Sequence, residues 1–158
     1  MAPQDDLDRI MTVMDTAFDP TFGEAWSRAQ VESALLQGTS AYWLITPDGA
    51  IPREEDEVAG FALVRRILDE AELLLFAVAP AWRRRGLGAA LLARMRANLR
   101  REGVARMMLE MRRGNPAEEL YRANGFSPIG LRPKYYRSSN GDRIDAITFS
   151  CLLDEQQD

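Results

Sequence analysis

The succession of apolar patterns predicts an α/β fold of the α+β kind, with helices packed on one mixed sheet. Helical spacing opens the chain and gives way to extended patterns near residue 40. Residues 72–111 then run strand, helix, strand, and two extended runs joined by turn residues close the sequence. At 158 residues with 46% apolar content, the chain suits one domain spanning 1–158.

Apolar residues at 7, 10, 11, 14, 17 and 18 keep helical spacing and predict a first helix over 7–18. Pro20 and Gly23 interrupt it, and a second helix is expected over 24–37, carrying Trp26, Val31, Ala34 and Leu35, until Gly38 stops it. Residues 41–46 read as a short strand, Pro47-Asp48-Gly49 as a turn, 52–57 as an acidic connection and 58–67 as another strand. Asp69-Glu70 turns the chain into 72–78, whose continuous apolar run predicts a central strand covered on both faces. After Pro80, residues 86–101 place apolar side chains at 87, 91, 92, 95 and 99, one helical stripe, with Arg94, Arg100 and Arg101 toward a carboxyl end stopped by Gly103. Residues 104–111 form the next strand, so the unit is a parallel crossover, right-handed by strong precedent. A short helix over 116–124 ends at Gly125, and strands from 126 onward and over 144–153 are joined through Ser138-Ser139-Asn140-Gly141.

Charge narrows the function classes. A net charge of −4 gives no global support to nucleic-acid or anionic-membrane binding, so any anion site must be local. No amino-terminal signal pattern is present, and no apolar run approaches the roughly 20 residues that span a bilayer. A cytoplasmic location is therefore expected. The single cysteine, Cys151, rules out an intrachain disulfide, offers no metal-ligand spacing and reads as a core thiol. Histidine is absent, so no metal site is expected, and proton transfer falls to carboxylates, tyrosines or water.

The chemistry-bearing segment is Arg83-Arg84-Arg85-Gly86-Leu87-Gly88, set between the apolar strand and the amphipathic helix. Backbone N–H groups at a helix start lack partners and carry partial positive charge, so glycines that expose them make an anion site, here reinforced by three arginines. A Walker loop is excluded because no Gly-Lys-Ser/Thr follows. A dinucleotide fingerprint fits more nearly, with Glu110 near the expected distance, but Leu91 stands where its third glycine belongs, and there is no room for a second mononucleotide half.

Residues 73–88, followed by Leu109-Glu110-Met111-Arg112, Asn115, Leu120-Tyr121, Gly125-Phe126, Tyr135-Tyr136 and Asp145-Ala146, resemble the GNAT acetyltransferase superfamily, and within it the RimI-type ribosomal-protein-alanine acetyltransferases. The resemblance covers residues 57–153. It implies a GNAT fold whose central parallel strands splay, with acetyl-CoA entering the gap like an added strand against Phe76, Ala77 and Val78. It carries the pyrophosphate contacts onto Arg83, Arg84, Arg85, Gly86, Leu87, Gly88 and Ala89, and a further cofactor contact onto Asn115, although Pro116 shortens the loop that follows. It makes Glu110 the general base and Tyr121 the general acid for the departing thiolate. The family's first strand should precede the first helix, where only residues 1–6 are available, so a truncated or missing strand is expected.

Each assignment has a structural alternative. Glu110 could be a strand-end carboxylate paired with Arg112, and Tyr121 an amphipathic core residue. Arg132, Tyr135 and Tyr136 are candidates for lining the acceptor side or for an aromatic strand surface; Trp26 and Phe22 are candidates for bordering the same cleft, with core packing the favoured reading. Deprotonating an α-amine of pKa near 8 at pH 7 costs about 1 kcal/mol, against roughly 4 to 5 for a lysine. A single carboxylate acting through water suits the first. The partners expected are thus acetyl-CoA and an amine, with a ribosomal-protein N-terminus implied by the resemblance. A small-molecule amine or a lysine is the competing acceptor, and a non-catalytic acyl-CoA sensor is the competing class.

Overall fold

The structure is a computed structural model that describes residues 4–153, with side chains from residue 6 onward. Six strands form one mixed sheet in the order β1-β2-β3-β4-β6-β5. Strands β1 (Ser40–Ile45), β2 (Gly60–Ile67) and β3 (Glu70–Val78) make an antiparallel meander. Helix α3 (Leu87–Arg101) returns the chain so that β4 (Arg106–Arg112) lies parallel to β3. Strand β6 (Arg143–Leu152) runs antiparallel beside β4, and β5 (Ser127–Arg137) forms the outer edge. Helices α1 (Gln4–Ala17) and α2 (Arg28–Leu35) cover one face, and α3 with the short α4 (Glu118–Ala123) covers the other. The α+β expectation is borne out.

The predicted α3 stripe is the buried one: Leu87, Leu91, Leu92, Met95 and Leu99 are each no more than 5% exposed. Burying each such side chain contributes roughly 1.5–3 kcal/mol relative to leaving it in water. On α1, Leu7, Ile10, Val13 and Met14 pack on Phe61, Leu63 and Leu75 of the opposite face.

One expectation needs correction. The second helix does not begin at residue 24. Asp19 caps a 3-10 turn over Pro20–Phe22, Gly23 ends it in the left-handed region, and Ser27 with Gln30 forms a capping box that starts α2 at Arg28. Residues 24–26 are therefore loop. A truncated or missing strand before α1 is the other expectation here, and residues 4–6 already belong to the helix; residues 1–3 lie outside the described part.

Two irregularities of β3 position the site. Leu63 pairs with Leu75 and Val64 with Leu73, so Leu74 is an extra residue, a β-bulge that changes which face the strand presents. Before it Ala71 and Leu73 pack in the α3-side core, and after it Phe76 and Val78 do. Pairing of β3 with β4 runs only from Glu70↔Arg106 to Leu73↔Leu109. Beyond Leu73 the two parallel strands part, while β4 continues its pairing with β6 through Arg112.

Candidate active site

The parting strands leave β3 with backbone groups that no strand satisfies. The Ala79 N–H turns toward β2, donating to the Ala59 carbonyl at 2.8 Å. The Val78 carbonyl, on the same peptide, therefore turns away toward the gap, and by strand alternation so does that of Phe76. The Ala77 carbonyl faces β2 instead, which leaves this residue with its backbone directed away from an added strand. Among these carbonyls Val78 is already engaged, accepting the Arg83 Nε at 2.8 Å.

The basic loop is less uniform than its sequence. Arg83 spans from the Val78 carbonyl to that of Ala17, its Nη2 donating at 2.8 Å, and so ties the loop to the end of α1. Arg85 lies over the Trp82 ring, 5.1 Å from its centroid. Arg84 is exposed, with φ +64. Gly86 precedes α3 at φ +80 with open space around it, a conformation that an L-residue adopts only with strain. Helix α3 has neither a side-chain cap nor an acidic residue in its first turn, so its leading N–H groups, from Leu87 to Ala89, stay available to an anion. A Cβ on Gly88 would lie 2.9 Å from Leu120 Cδ2 and 3.7 Å from Phe76 Cζ, so glycine keeps the helix start close to the strand. A backbone cradle with two exposed arginines beside it fits a pyrophosphate.

A cavity of about 310 Å³ lies at the parting of the strands, lined by Phe76, Glu110, Asn115, Tyr121, Tyr136 and, from the loop before α2, Glu24. Tyr121 is 6% exposed and sits between Phe76 and Phe126, with ring centroids 5.9 and 5.8 Å away. Burial, and secondarily the charge of Glu24, raises its pKa well above that of a free tyrosine, so the hydroxyl keeps its proton. Tyr136 is raised to about 12, first by burial and then by the charges of Glu110 and Glu24. Asn115 Oδ1 accepts the Ala117 N–H at 2.8 Å, which fixes the entry to α4 while its side chain borders the cavity.

The partner of Glu110 differs from the one suggested by strand spacing. Its Oε2 lies 3.3 Å from Arg132 Nε on β5, two strands away, whereas Arg112 turns to Glu24 at 3.3 Å. Arg132 also covers the Tyr135 ring at 4.9 Å, and Tyr135 stands edge-on to Tyr136 at 5.2 Å. Tyr135 is half exposed and outside the cavity, while Tyr136 lines it.

Glu24 is the residue sequence reading missed. Its partner Arg112 is 8% exposed and places its guanidinium 3.6 Å from the Phe22 ring centroid, so cation, ring and carboxylate form one buried group. Removing one member of a buried pair typically costs about 3–5 kcal/mol. The capping box at Ser27 was the available signal, since it leaves residues 24–26 free to face the sheet. Among the described residues no cluster of His, Cys, Asp or Glu suits a metal ion, and no helix is long and apolar enough to cross a membrane.

Comparison with known proteins agrees with this geometry. The model of the acetyltransferase (GNAT) family matches residues 8–126. The ribosomal protein bS18-alanine N-acetyltransferase of Haemophilus influenzae is 35% identical over 100 residues, 63% of this chain and 68% of that one. The crystal structure of the ribosomal-protein-S18-alanine N-acetyltransferase from Escherichia coli superposes with a TM-score of 0.79 at 29% identity, covering 99% of this chain and 94% of that one. A Salmonella typhimurium protein solved with its cofactor acetyl-CoA has a TM-score of 0.56 at 27% identity, over 65% and 62% of the two chains.

Proposed function

The chain belongs to the GNAT acetyltransferase family, and from that premise we propose that it moves the acetyl group of acetyl-CoA to the N-terminal α-amino group of a protein whose first residue is alanine, with a ribosomal protein as the acceptor. The observation that carries this reading is the placing of Glu110 and Tyr121 on one cavity where β3 and β4 part. When bound, acetyl-CoA supplies an electrophilic thioester. The residues that would hold it are the carbonyls of Phe76 and Val78 along the gap, the N–H groups from Leu87 to Ala89, and Arg84 and Arg85 beside them, with Asn115 at the far side.

An acceptor reaches the site as an ammonium and must lose a proton before it attacks. Glu110 takes that proton through a water, held in place by Arg132. Tyr121 keeps its proton at neutral pH and gives it to the departing sulfur. The modest energy of deprotonating an α-amine matches a single carboxylate of this kind, and a lysine acceptor fits it less well. Glu24 also lines this cavity, with its charge balanced by Arg112.

The test is incubation with acetyl-CoA and an alanine-first peptide beside a panel of spermidine and an aminoglycoside. Acetylation of the peptide α-amine is expected. Activity confined to the panel refutes the protein acceptor, and no turnover with any amine would favour the acyl-CoA sensor.

A further inference from the structure

Strand β5 carries a bulge opposite a single acidic residue of β6. Arg132 pairs with Ala146 and Tyr136 with Ile144, so Pro133, Lys134 and Tyr135 together face Asp145. Lys134 at the bulge has φ +56, a conformation that a residue with a side chain adopts only when its surroundings impose it. What imposes it is Asp145: its Oδ1 accepts the Lys134 N–H at 2.9 Å. The other carboxylate oxygen, Oδ2, takes Arg113 Nε at 3.2 Å, and the Asp145 carbonyl accepts the Arg113 N–H at 2.8 Å. One residue therefore ties the bulge of β5 to the end of β4, and the Lys134 N–H holds its carboxyl below the usual range, which keeps it an acceptor.

Of the residues on either side of the bulge, Tyr136 lines the cavity and Arg132 acts on it through Glu110. Arg132 meets Glu110 at 3.3 Å, and Tyr136 lines the wall with its hydroxyl under the influence of Glu110 and Glu24. Three residues against one is what brings both to the same end of the sheet. Resting on the acetyl-transfer reading above, we propose that Asp145 is a positioning residue for the acceptor amine: it pins the β5 bulge and thereby sets where Arg132 and Tyr136 stand beside Glu110.

The test combines steady-state kinetics with amide exchange at Lys134. Asp145→Ala removes the pin, and loss of its two charge-assisted hydrogen bonds, from the Lys134 N–H and from Arg113 Nε, is expected to raise the acceptor KM about tenfold. The KM for acetyl-CoA stays within about twofold, because β6 and β4 separate the bulge from the gap beside β3. Asp145→Asn keeps an oxygen for the Lys134 N–H and is expected to hold both Lys134 protection and the acceptor KM within about threefold of wild type. Should Asp145→Ala fail to fold, its combination with Lys134→Gly supplies an unpinned bulge without backbone strain. The proposal is overturned if Lys134 stays protected in the alanine variant, if the acceptor KM is unmoved when protection is lost, or if both KM values rise in step. A wild type that ignores the alanine-first peptide but acetylates a panel amine sinks the acceptor reading alone, and the Asp145 series is then read on that amine.

Discussion

Arg132 on β5 reaches across β6 to hold Glu110 on β4, Nε to Oε2 at 3.3 Å. Glu110→Gln is expected to bind acetyl-CoA normally and lose turnover by about 10²-fold or more, read by calorimetry and single-turnover kinetics. Unchanged turnover would remove Glu110 from the mechanism.

The arginine itself is 61% exposed, so the ion pair contributes under about 1 kcal/mol to folding. Arg132→Ala should leave the melting temperature nearly unmoved. Its effect is expected in kcat/KM for the acceptor, a fall of about three- to tenfold that Arg132→Lys partly restores. A large drop in melting temperature instead would assign Arg132 a structural role.

Tyr121 has its pKa raised by burial and by Glu24, so it is protonated throughout the working range of the enzyme. The pH profile of kcat is expected to show no alkaline limb from this group at pH 9. Tyr121→Phe retains the ring contacts with Phe76 and Phe126 and should reduce kcat by about 10²-fold with little change in stability. Full activity of the phenylalanine variant would return Tyr121 to the core.

Alkaline unfolding reports on Tyr136. Its folded pKa of about 12 stands above the usual value near 10, so the unfolded chain loses this proton first as pH rises. Stability from the shift is complete below about pH 10 and falls between there and about pH 12. Tyr136→Phe should flatten the denaturant midpoint across that window, and a slope equal to wild type would assign it to other groups.

Gly86 has empty space around it, so substitution there acts through φ alone. Gly86→Ala is expected to lose roughly 1–2 kcal/mol in stability and to raise the KM for acetyl-CoA. Gly86→Asn should be milder, because asparagine tolerates the left-handed region. Equal behaviour of the two variants would contradict this account.

The parts legible in the sequence are those written in local spacing. The α3 stripe, the crossover and the glycines at its start all depend on neighbours within a few residues, and each is found where its pattern put it. Tyr121 and Asn115 likewise fall on the cavity that Glu110 lines. The ion pairs were not legible, because Glu110 and Arg112 share a strand face but find partners in Arg132 and Glu24, on elements that only the sheet order brings near. Strand spacing says which way a side chain points and nothing about which distant segment it meets. The loop at Glu24 was hidden for another reason: a helical apolar pattern continued through it, and the capping chemistry of Asp19, Gly23 and Ser27 outweighed that pattern.

The extra residue at Leu74 makes the end of β3 sensitive to counting. Were Leu74 paired in regular alternation instead of bulged, Leu75 and Ala77, which now pack toward α1, would turn to the α3 side, and Phe76 and Val78 would turn to the α1 side. Deleting Leu74 would instead straighten the strand, with Leu73 still opposite Val64 and Leu75 opposite Leu63, so Phe76 would keep the wall it shares with Tyr121 and only the bend would be lost.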